Sequence, residues 1–183
     1  MASEIAVKSS SRRSFFMAQV ILRILAIAFT LAAISIMLSS TESLMILGIK
    51  IVATYSNSSA LRFLLGANIT GCILSFLSLI FVCFISRSES YLKKCFYLFL
   101  HDMAIMVLLI SGCAAASAIG YVSVHGEAKI GWMAVCDIAS KFCNRVMISL
   151  GLSYLGFFSY LALTIMAARI FMSPASERRT NEG

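Results

Sequence analysis

Four long stretches of nearly uninterrupted apolar residues alternate with shorter polar segments along this sequence. The apolar stretches are residues 17–38, 61–85, 96–119 and 146–171. A helix that spans a bilayer needs about 20 such residues at a rise of about 1.5 Å each, and every stretch meets that length. The pattern therefore predicts an all-α fold, an integral membrane four-helix bundle. The membrane domain would cover residues 17–171, with tails at 1–16 and 172–183 and long loops at 39–60 and 120–145.

Two charged side chains interrupt these apolar stretches, and both lie well inside them. Arg23 follows the start of the first stretch by six residues, and Asp102 follows the start of the third by six. Six residues of helix correspond to a depth of about 9 Å. A charge inside a membrane costs several kcal/mol unless it finds a partner. The equal depths therefore predict an ion pair between the first and third helices.

Such a pair has two interpretations. A proton or ion relay is normally a chain of titratable groups, whereas an isolated pair is more typical of a contact that fixes helix register and rotation. The spans carry one acid and one base in their interiors, which favours the structural role. His101 precedes Asp102, and on a helix it is expected to point about 100° away from it. We assign His101 no catalytic role.

Small residues recur along the third stretch at a spacing of four, at Gly112, Ala116 and Gly120. Small side chains let helix backbones approach closely in a membrane. This small-residue stripe predicts a packing surface, either for the fourth helix or for another copy of the chain. In the second stretch, Asn68 is expected to hydrogen-bond a neighbouring helix.

Composition agrees with a single membrane domain, since 60% of the residues are hydrophobic, 13% are charged and the mean hydropathy is +0.93. The apolar region of a cleaved signal peptide covers about 7–15 residues, so the longer first stretch indicates an uncleaved span. The net charge is +7, but the sequence has no stripe of basic residues with interleaved aromatic residues, so nucleic-acid binding is not expected.

The positive charges indicate the orientation in the membrane. More Lys and Arg residues lie in or next to the two tails and the 86–95 turn than in or next to the two long loops. The positive-inside rule therefore predicts both termini in the cytoplasm.

The long loops would then face an oxidising compartment, where Cys136 and Cys143 can form a disulfide. Residues seven apart in one unbroken helix are separated by about 10 Å, beyond disulfide reach, so the bond implies a turn between them. These cysteines and His125 lack the spacing of a zinc site, and we expect no metal and no cofactor.

The sequence contains candidate positions for two kinds of covalent modification. Asn57 begins an Asn-Ser-Ser pattern and is a candidate glycosylation site, although it lies close to the second span. Cys83 and Cys95 flank the 86–95 turn, where they are either palmitoylated or unmodified buried thiols.

Two segments of the sequence resemble a plant family, the Casparian-strip-membrane-domain-protein-like (CASP-like) proteins. One is RILAIAFTLAAISIMLSSTES, which starts at Arg23, together with the membrane-embedded Asp102 of the third stretch. The more specific one is AASAIGYVSVHGEAKIGWMAVCDIASKFCNR, residues 115–145, which has a His-Gly pair, a Trp and paired cysteines. The resemblance covers nearly the whole chain in order.

This resemblance implies a four-span protein of the plasma membrane, related to the MARVEL class, with both ends in the cytoplasm. Its members form homo- and hetero-oligomers, including homodimers and heterodimers. The strip-forming members make an immobile membrane platform that directs local cell-wall modification. Their first outer loop is acidic and aromatic, and the 39–60 loop has neither feature. The resemblance is therefore to a CASP-like member and not to a strip-forming one.

Three classes of function can be weighed. A non-enzymatic, oligomerising scaffold fits the isolated pair and the small-residue stripe. A membrane enzyme needs an acid, a base and a nucleophile that converge, which the spans do not supply. A small transporter or channel subunit would bring several polar side chains together near the midplane. The candidates for that role are Thr30, Ser35, Asn68, Ser75, Ser78 and Ser111.

Overall fold

The computed structural model describes residues 2–46, 49–85, 91–126 and 134–171. These residues form four long helices and one short β-hairpin. The helices are α1 (Ala2–Leu38), α2 (Ser59–Ile85), α3 (Tyr91–His125) and α4 (Ser140–Phe171), and the strands are β1 (Thr41–Ile46) and β2 (Ile49–Thr54). Each helix contains a segment long and apolar enough to cross a membrane. The prediction of an all-α integral membrane bundle is confirmed.

The helices extend beyond the apolar stretches from which they were predicted. The candidate spans are Met17–Leu38, Ser59–Phe81, Phe96–His125 and Ser140–Arg169. The third and fourth spans gain several residues next to the 120–145 loop, because the polar and small residues there are compatible with helix although they lower the local hydropathy. Helix α1 likewise begins at Ala2, well before the first apolar stretch. The segments 86–90 and 172–183 lie outside the described residues.

The four helices form a ring in which each packs against two others. Helix α1 contacts α2 and α4, and α3 contacts the same two, so α1 and α3 face each other diagonally. We call the end of the bundle near Met17 and Phe96 the tail side, and the end near the hairpin the loop side. A cluster around Leu64, Cys113 and Leu150 fills the loop side. A second cluster around Ile105, Tyr160 and Leu163 fills the region towards the tail side.

The outer surface of the described helices is rich in exposed apolar side chains. Ile73 is 57% exposed, Leu77 56% and Phe158 56%. The interior, by contrast, contains Arg23 and Asp102, both fully buried. A chain that presents large apolar residues outward and buries its charges is suited to hydrocarbon rather than to water.

The small-residue stripe lies inside the bundle. A Cβ added to Gly112 would lie 3.3 Å from the Cβ of Ala67 and 3.4 Å from the Cα of Leu64, both in α2. Ala116 is 1% exposed, and the nearest atom to an added Cβ at Gly120 is the Sδ of Met147 in α4, at 3.7 Å. The sequence predicts α4 or another copy as the partner. Gly120 does face α4, but the tightest contact of the stripe, at Gly112, is with α2.

A β-hairpin that the sequence did not predict follows α1. Its two strands pair antiparallel from Thr41 opposite Thr54 to Ile46 opposite Ile49. The strand Ile49–Thr54 is rich in β-branched residues, which favour strand over helix. The hairpin connects α1 to α2, and β1 contacts α4.

Gly112→Leu is expected to destabilise the bundle by about 1–3 kcal/mol, because the larger side chain must displace α2. The matched control is Gly151→Leu, since no atom lies within 4 Å of an added Cβ at Gly151. Both changes raise helix propensity equally, so a difference between them reports packing. Thermal unfolding of the purified proteins in detergent measures it. Equal stability of the two variants would contradict the close α2–α3 contact.

Candidate functional site

Arg23 and Asp102 meet inside the bundle. The Nη1 of Arg23 donates to the Oδ1 of Asp102 at 2.9 Å, and Nη2 donates to Oδ2 at 2.6 Å. This is a bidentate salt bridge, in which the planar guanidinium donates one hydrogen bond to each carboxylate oxygen. Both side chains are fully buried. The site therefore neutralises two charges in a place where neither could be left alone.

Ser78 of α2 is the third member of this cluster. Its Oγ accepts a 2.6 Å hydrogen bond from the Nη1 of Arg23 and donates to the backbone oxygen of Ser75 at 3.0 Å. Arg23 thus binds α3 through Asp102 and α2 through Ser78. Because α1 and α3 are diagonal in the ring, the long arginine side chain bridges the centre of the bundle. We call Arg23, Asp102 and Ser78 the clasp.

A second polar layer joins α2 to α4 next to the clasp. The hydroxyls of Ser75 and Tyr160 are hydrogen-bonded to each other. The Oγ of Ser75 donates to the backbone oxygen of Gly71 at 2.6 Å. The hydroxyl of Tyr160 is therefore the donor to Ser75, and it also lies 3.4 Å from the same backbone oxygen. Tyr160 is fully buried, so its hydroxyl depends on Ser75 for a hydrogen bond that water cannot supply.

A third polar layer lies nearer the loop side. The Nδ2 of Asn68 donates to the Oγ of Ser153 at 2.9 Å, which joins α2 to α4 as the sequence predicted for Asn68. The Oγ of Ser149 donates to the backbone oxygen of Ala33 at 2.8 Å, which joins α4 to α1. Each layer ties helices together through groups that cannot reach water.

The transport candidates divide into two groups. Thr30, Asn68, Ser75 and Ser78 are buried in the bundle. Ser35 and Ser111 are exposed on the outer surface and donate to their own helices, at the backbone oxygens of Leu31 and Leu108. Four of the six side chains therefore lie inside the bundle, while two face the surroundings.

His101 lies closer to the clasp than the sequence suggested. Its Nδ1 is 3.6 Å from the Oδ1 of Asp102, and the side chain is 29% exposed. Although adjacent helical residues leave the axis about 100° apart, the imidazole turns back towards the carboxylate. The expectation that His101 points away from Asp102 was wrong.

The loop side is closed by a disulfide. Cys136 and Cys143 are bonded, with Cα atoms 5.6 Å apart. A short 3-10 turn, Val135–Asp137, precedes α4, and Cys143 lies in the first turn of that helix. The chain direction thus changes between the two cysteines, as a disulfide at this spacing requires. Nearby, the Nη1 of Arg145 donates to the backbone oxygen of Ser39 at 2.6 Å and so ties α4 to the end of α1.

The remaining predicted positions are less informative. Asn57 is exposed in a 3-10 turn, two residues before α2. Trp132 lies outside the described residues, as do the side chains of Cys83 and Cys95. Among the described residues, no group of three or more His, Cys, Asp or Glu side chains could hold a metal ion.

Sequence reasoning identified Arg23 and Asp102 but missed Ser78 and Tyr160 as their polar neighbours. A signal was present for Ser78, since Asn68, Ser75 and Ser78 recur on one face of α2 at helical spacing. Tyr160 carried no comparable signal, because a tyrosine in an apolar stretch is equally suited to the membrane boundary.

Comparison with known proteins identifies the family. Residues 12–159 match the model of the Casparian strip membrane protein domain. CASP-like protein 1F2 of Ricinus communis is 56% identical over 161 residues, covering 87% of this chain and 80% of that protein. CASP-like protein 1F3 of Populus trichocarpa is 48% identical over 169 residues, covering 92% and 88%. CASP-like protein 1F1 of Arabidopsis thaliana is 34% identical over 150 residues, covering 82% and 86%.

No solved structure matches this chain. The family match and the relatives both extend over most of the sequence, which confirms the resemblance seen in its motifs. With four membrane-spanning helices arranged around the clasp, the chain belongs to the Casparian strip membrane protein domain family, and it is similar throughout to CASP-like proteins of plants.

Proposed function

We propose that this protein is a non-enzymatic scaffold of the plasma membrane. It would associate with copies of itself and with related family members, and so organise a membrane domain or a local modification of the cell wall. The observation that carries the proposal is the clasp: its two charges bind each other inside the bundle, and both are fully buried. Such a contact fixes how helices sit against one another, which is the property a scaffold requires.

The surroundings of the clasp support a structural role over a relay. A relay needs titratable groups that continue from the buried pair towards both membrane faces. Among the described residues, His101 lies beside Asp102 and is partly exposed. The fully buried polar side chains that continue from the clasp towards the loop side are hydroxyls and an amide, at Ser75, Tyr160 and Asn68. Most of these are engaged with backbone oxygens of their own helix or with a neighbouring helix. They hold the helices together in the same way as the clasp.

Orientation is part of the proposal. With both termini in the cytoplasm, the tail side faces inward, and the hairpin and the Cys136–Cys143 bond face the oxidising exterior. Asn57 would then lie on the exterior as a glycan acceptor, and its exposure is compatible with modification.

The position of the small-residue stripe restricts how copies can associate. Gly112 and Ala116 are buried inside one chain, so they are not available to a second. Association must therefore use the outward-facing apolar surfaces of the helices or the segments beyond the membrane.

A transporter or channel subunit is the second candidate. The observation in its favour is the burial of four polar side chains in the bundle interior, where a pathway would run: Thr30, Asn68, Ser75 and Ser78. A transporter or channel, unlike a scaffold, carries solute across a sealed membrane, and this flux can be measured.

The clasp is tested by apolar substitutions. Arg23→Leu and Asp102→Leu should each destabilise the protein by about 3–5 kcal/mol, since each leaves one buried charge without a partner. The double variant should recover part of this loss, because no charge then remains. Arg62→Leu, at an exposed position, is a control for loss of one positive charge. Thermal unfolding in detergent and the amount reaching the plasma membrane are the readouts. A double variant as damaged as the sum of the two single variants would contradict the clasp.

The scaffold is tested by association and by flux. Two differently tagged copies, co-expressed and solubilised in mild detergent, are expected to purify together. The same protein in sealed vesicles should leave proton flux at the level of protein-free vesicles. Failure of the copies to associate would contradict the scaffold. Proton flux that disappears in Asp102→Asn would establish the relay instead.

A further inference from the structure

Charge of one sign surrounds the tail side of the bundle. We count the charged residues that lie within five residues, on either side, of the tail-side ends of the four candidate spans. No Asp or Glu lies in this zone, and every charged residue in it is basic. These residues belong to α1, α3 and α4, and we call them the basic rim: Arg12, Arg13, Lys93, Lys94 and Arg169.

The loop side differs, because the same zone there has charges of both signs. Its acids are Glu42, Glu127 and Asp137, and its basic residues are Arg62, Lys129, Lys141 and Arg145. The orientation of a membrane protein depends on the distribution of Lys and Arg, and Asp and Glu have little influence on it. Topology therefore accounts for basic residues on the tail side but not for the exclusion of acids from it. The exclusion favours recognition of an anion.

The basic rim lies at the level of the lipid headgroups. Tyr97, the second residue of its candidate span, is 68% exposed, and tyrosine is common where the hydrocarbon meets the headgroups. Lys94 precedes Phe96 by two residues of helix, or about 3 Å, and Arg12 precedes Met17 by five, or about 7.5 Å. The headgroup region of one leaflet is about 5–8 Å thick. The helices thus place these basic residues among the phosphates.

Helix α4 lies between the other two helices of the basic rim, since it packs against both α1 and α3. Packed helices are separated by about 8–10 Å, a distance over which long basic side chains from two helices can approach one anion. Arg169 near the end of α4 is exposed and has no ion-pair partner among the described residues. An anion at the tail-side end of α4 can therefore meet positive charge from three helices.

We propose that the basic rim binds the headgroup of a phosphoinositide, a phospholipid with two or more phosphates on its inositol ring. Each phosphate monoester carries a charge of about −1.5 to −2, so one such headgroup matches several basic residues, whereas phosphatidylserine brings one net charge. Basic pockets between membrane helices are typical binding places for these headgroups. Arginine is well suited to this role because its guanidinium binds phosphate through two parallel hydrogen bonds.

The surface next to the rim favours a lipid over a soluble inositol phosphate. Ile165 precedes Arg169 by one helical turn and is 45% exposed on the outside of α4. The site thus offers charge at the headgroup level and apolar surface directly beside it, which acyl chains can cover.

Binding at the rim does not depend on the scaffold function. The leaflet does depend on the proposed orientation, because phosphoinositides of the cytoplasmic leaflet meet the tail side only if that side faces the cytoplasm. Binding measured in detergent is independent of orientation and of association between copies. Failure of the lipid to bind and failure of the copies to associate are therefore separate results.

The test is a binding titration of the purified full-length protein in mild detergent, followed by microscale thermophoresis. The probes are dioctanoyl forms of phosphatidylinositol bisphosphate, phosphatidylserine and phosphatidylcholine. The bisphosphate is expected to bind more tightly than phosphatidylserine, by roughly 5-fold for each additional Lys or Arg that it engages, and phosphatidylcholine is expected to bind most weakly. Inositol trisphosphate, which lacks acyl chains, should bind more weakly than the lipid.

Charge-removing variants locate the site. Lys93→Gln combined with Lys94→Gln should weaken binding of the bisphosphate roughly 5- to 25-fold, and Arg169→Gln roughly 5-fold. The matched control combines Arg62→Gln with Lys141→Gln, which removes two charges from exposed helical positions on the loop side and should leave the affinity unchanged. Thermal unfolding in detergent shows that each variant is folded, and the comparison of lipids requires no variant at all.

The contrary results are distinct. Equal losses of affinity in the rim and loop-side double variants would indicate attraction to net charge and overturn the site. Equal affinity for the bisphosphate and either of the other two lipids would overturn recognition of a headgroup with several phosphates. Inositol trisphosphate that binds as tightly as the lipid would assign the rim to a soluble inositol phosphate and overturn the lipid as its ligand.

Discussion

The bond between Arg23 and Asp102 is the interaction on which the arrangement of the helices depends. The two helices that carry these residues do not neighbour each other in the ring; they meet only because the arginine side chain crosses its centre. In water such a pair would add little to stability, since solvent could replace either partner. Inside a membrane no water is present to solvate a charge whose partner is lost, so either charge alone would be strongly unfavourable. The pair therefore constrains the depth and rotation of α1 and α3 together, and Ser78 adds α2 to the same constraint.

The remaining contacts extend this constraint along the bundle. Lipid is as apolar as leucine, so burial of apolar residues gives helices in a membrane little reason to associate. The close α2–α3 approach at Gly112 and the hydrogen bonds from Asn68 and Ser149 supply the packing and polar contacts that are needed instead. On the loop side, the Cys136–Cys143 bond and the Arg145–Ser39 contact hold the ends of the helices. A bundle fixed at three levels presents a constant outer surface, which is what the proposed scaffold function would require.

The sequence predicted the four spans because membrane length and hydropathy determine them almost completely. It also predicted that Arg23 and Asp102 would lie at one depth, because a helix converts residue count directly into distance. Its spacing placed Ser78 on the same face of α2 as Asn68 and Ser75, but it could not assign Arg23 as the partner, since a serine in a span can satisfy its hydroxyl on its own backbone, as Ser35 and Ser111 do. Nor could it say that Gly112 faces α2, because spacing defines a stripe but not the helix opposite. The β-hairpin and the inward turn of His101 depend on local geometry that neither hydropathy nor spacing contains.

The most direct test of the central claim is a distance measurement by solid-state NMR on ¹³C,¹⁵N-labelled protein in lipid bilayers. The account predicts a dipolar contact between the Nη atoms of Arg23 and the Cγ of Asp102, at a nitrogen–oxygen separation within about 4 Å. It also predicts that the Cγ shift of Asp102 is that of an ionised carboxylate. Loss of the cross-peak in Asp102→Asn would secure its assignment. A neutral carboxyl at Asp102, or no contact with Arg23 in the well-ordered protein, would contradict the claim that this pair holds the bundle together.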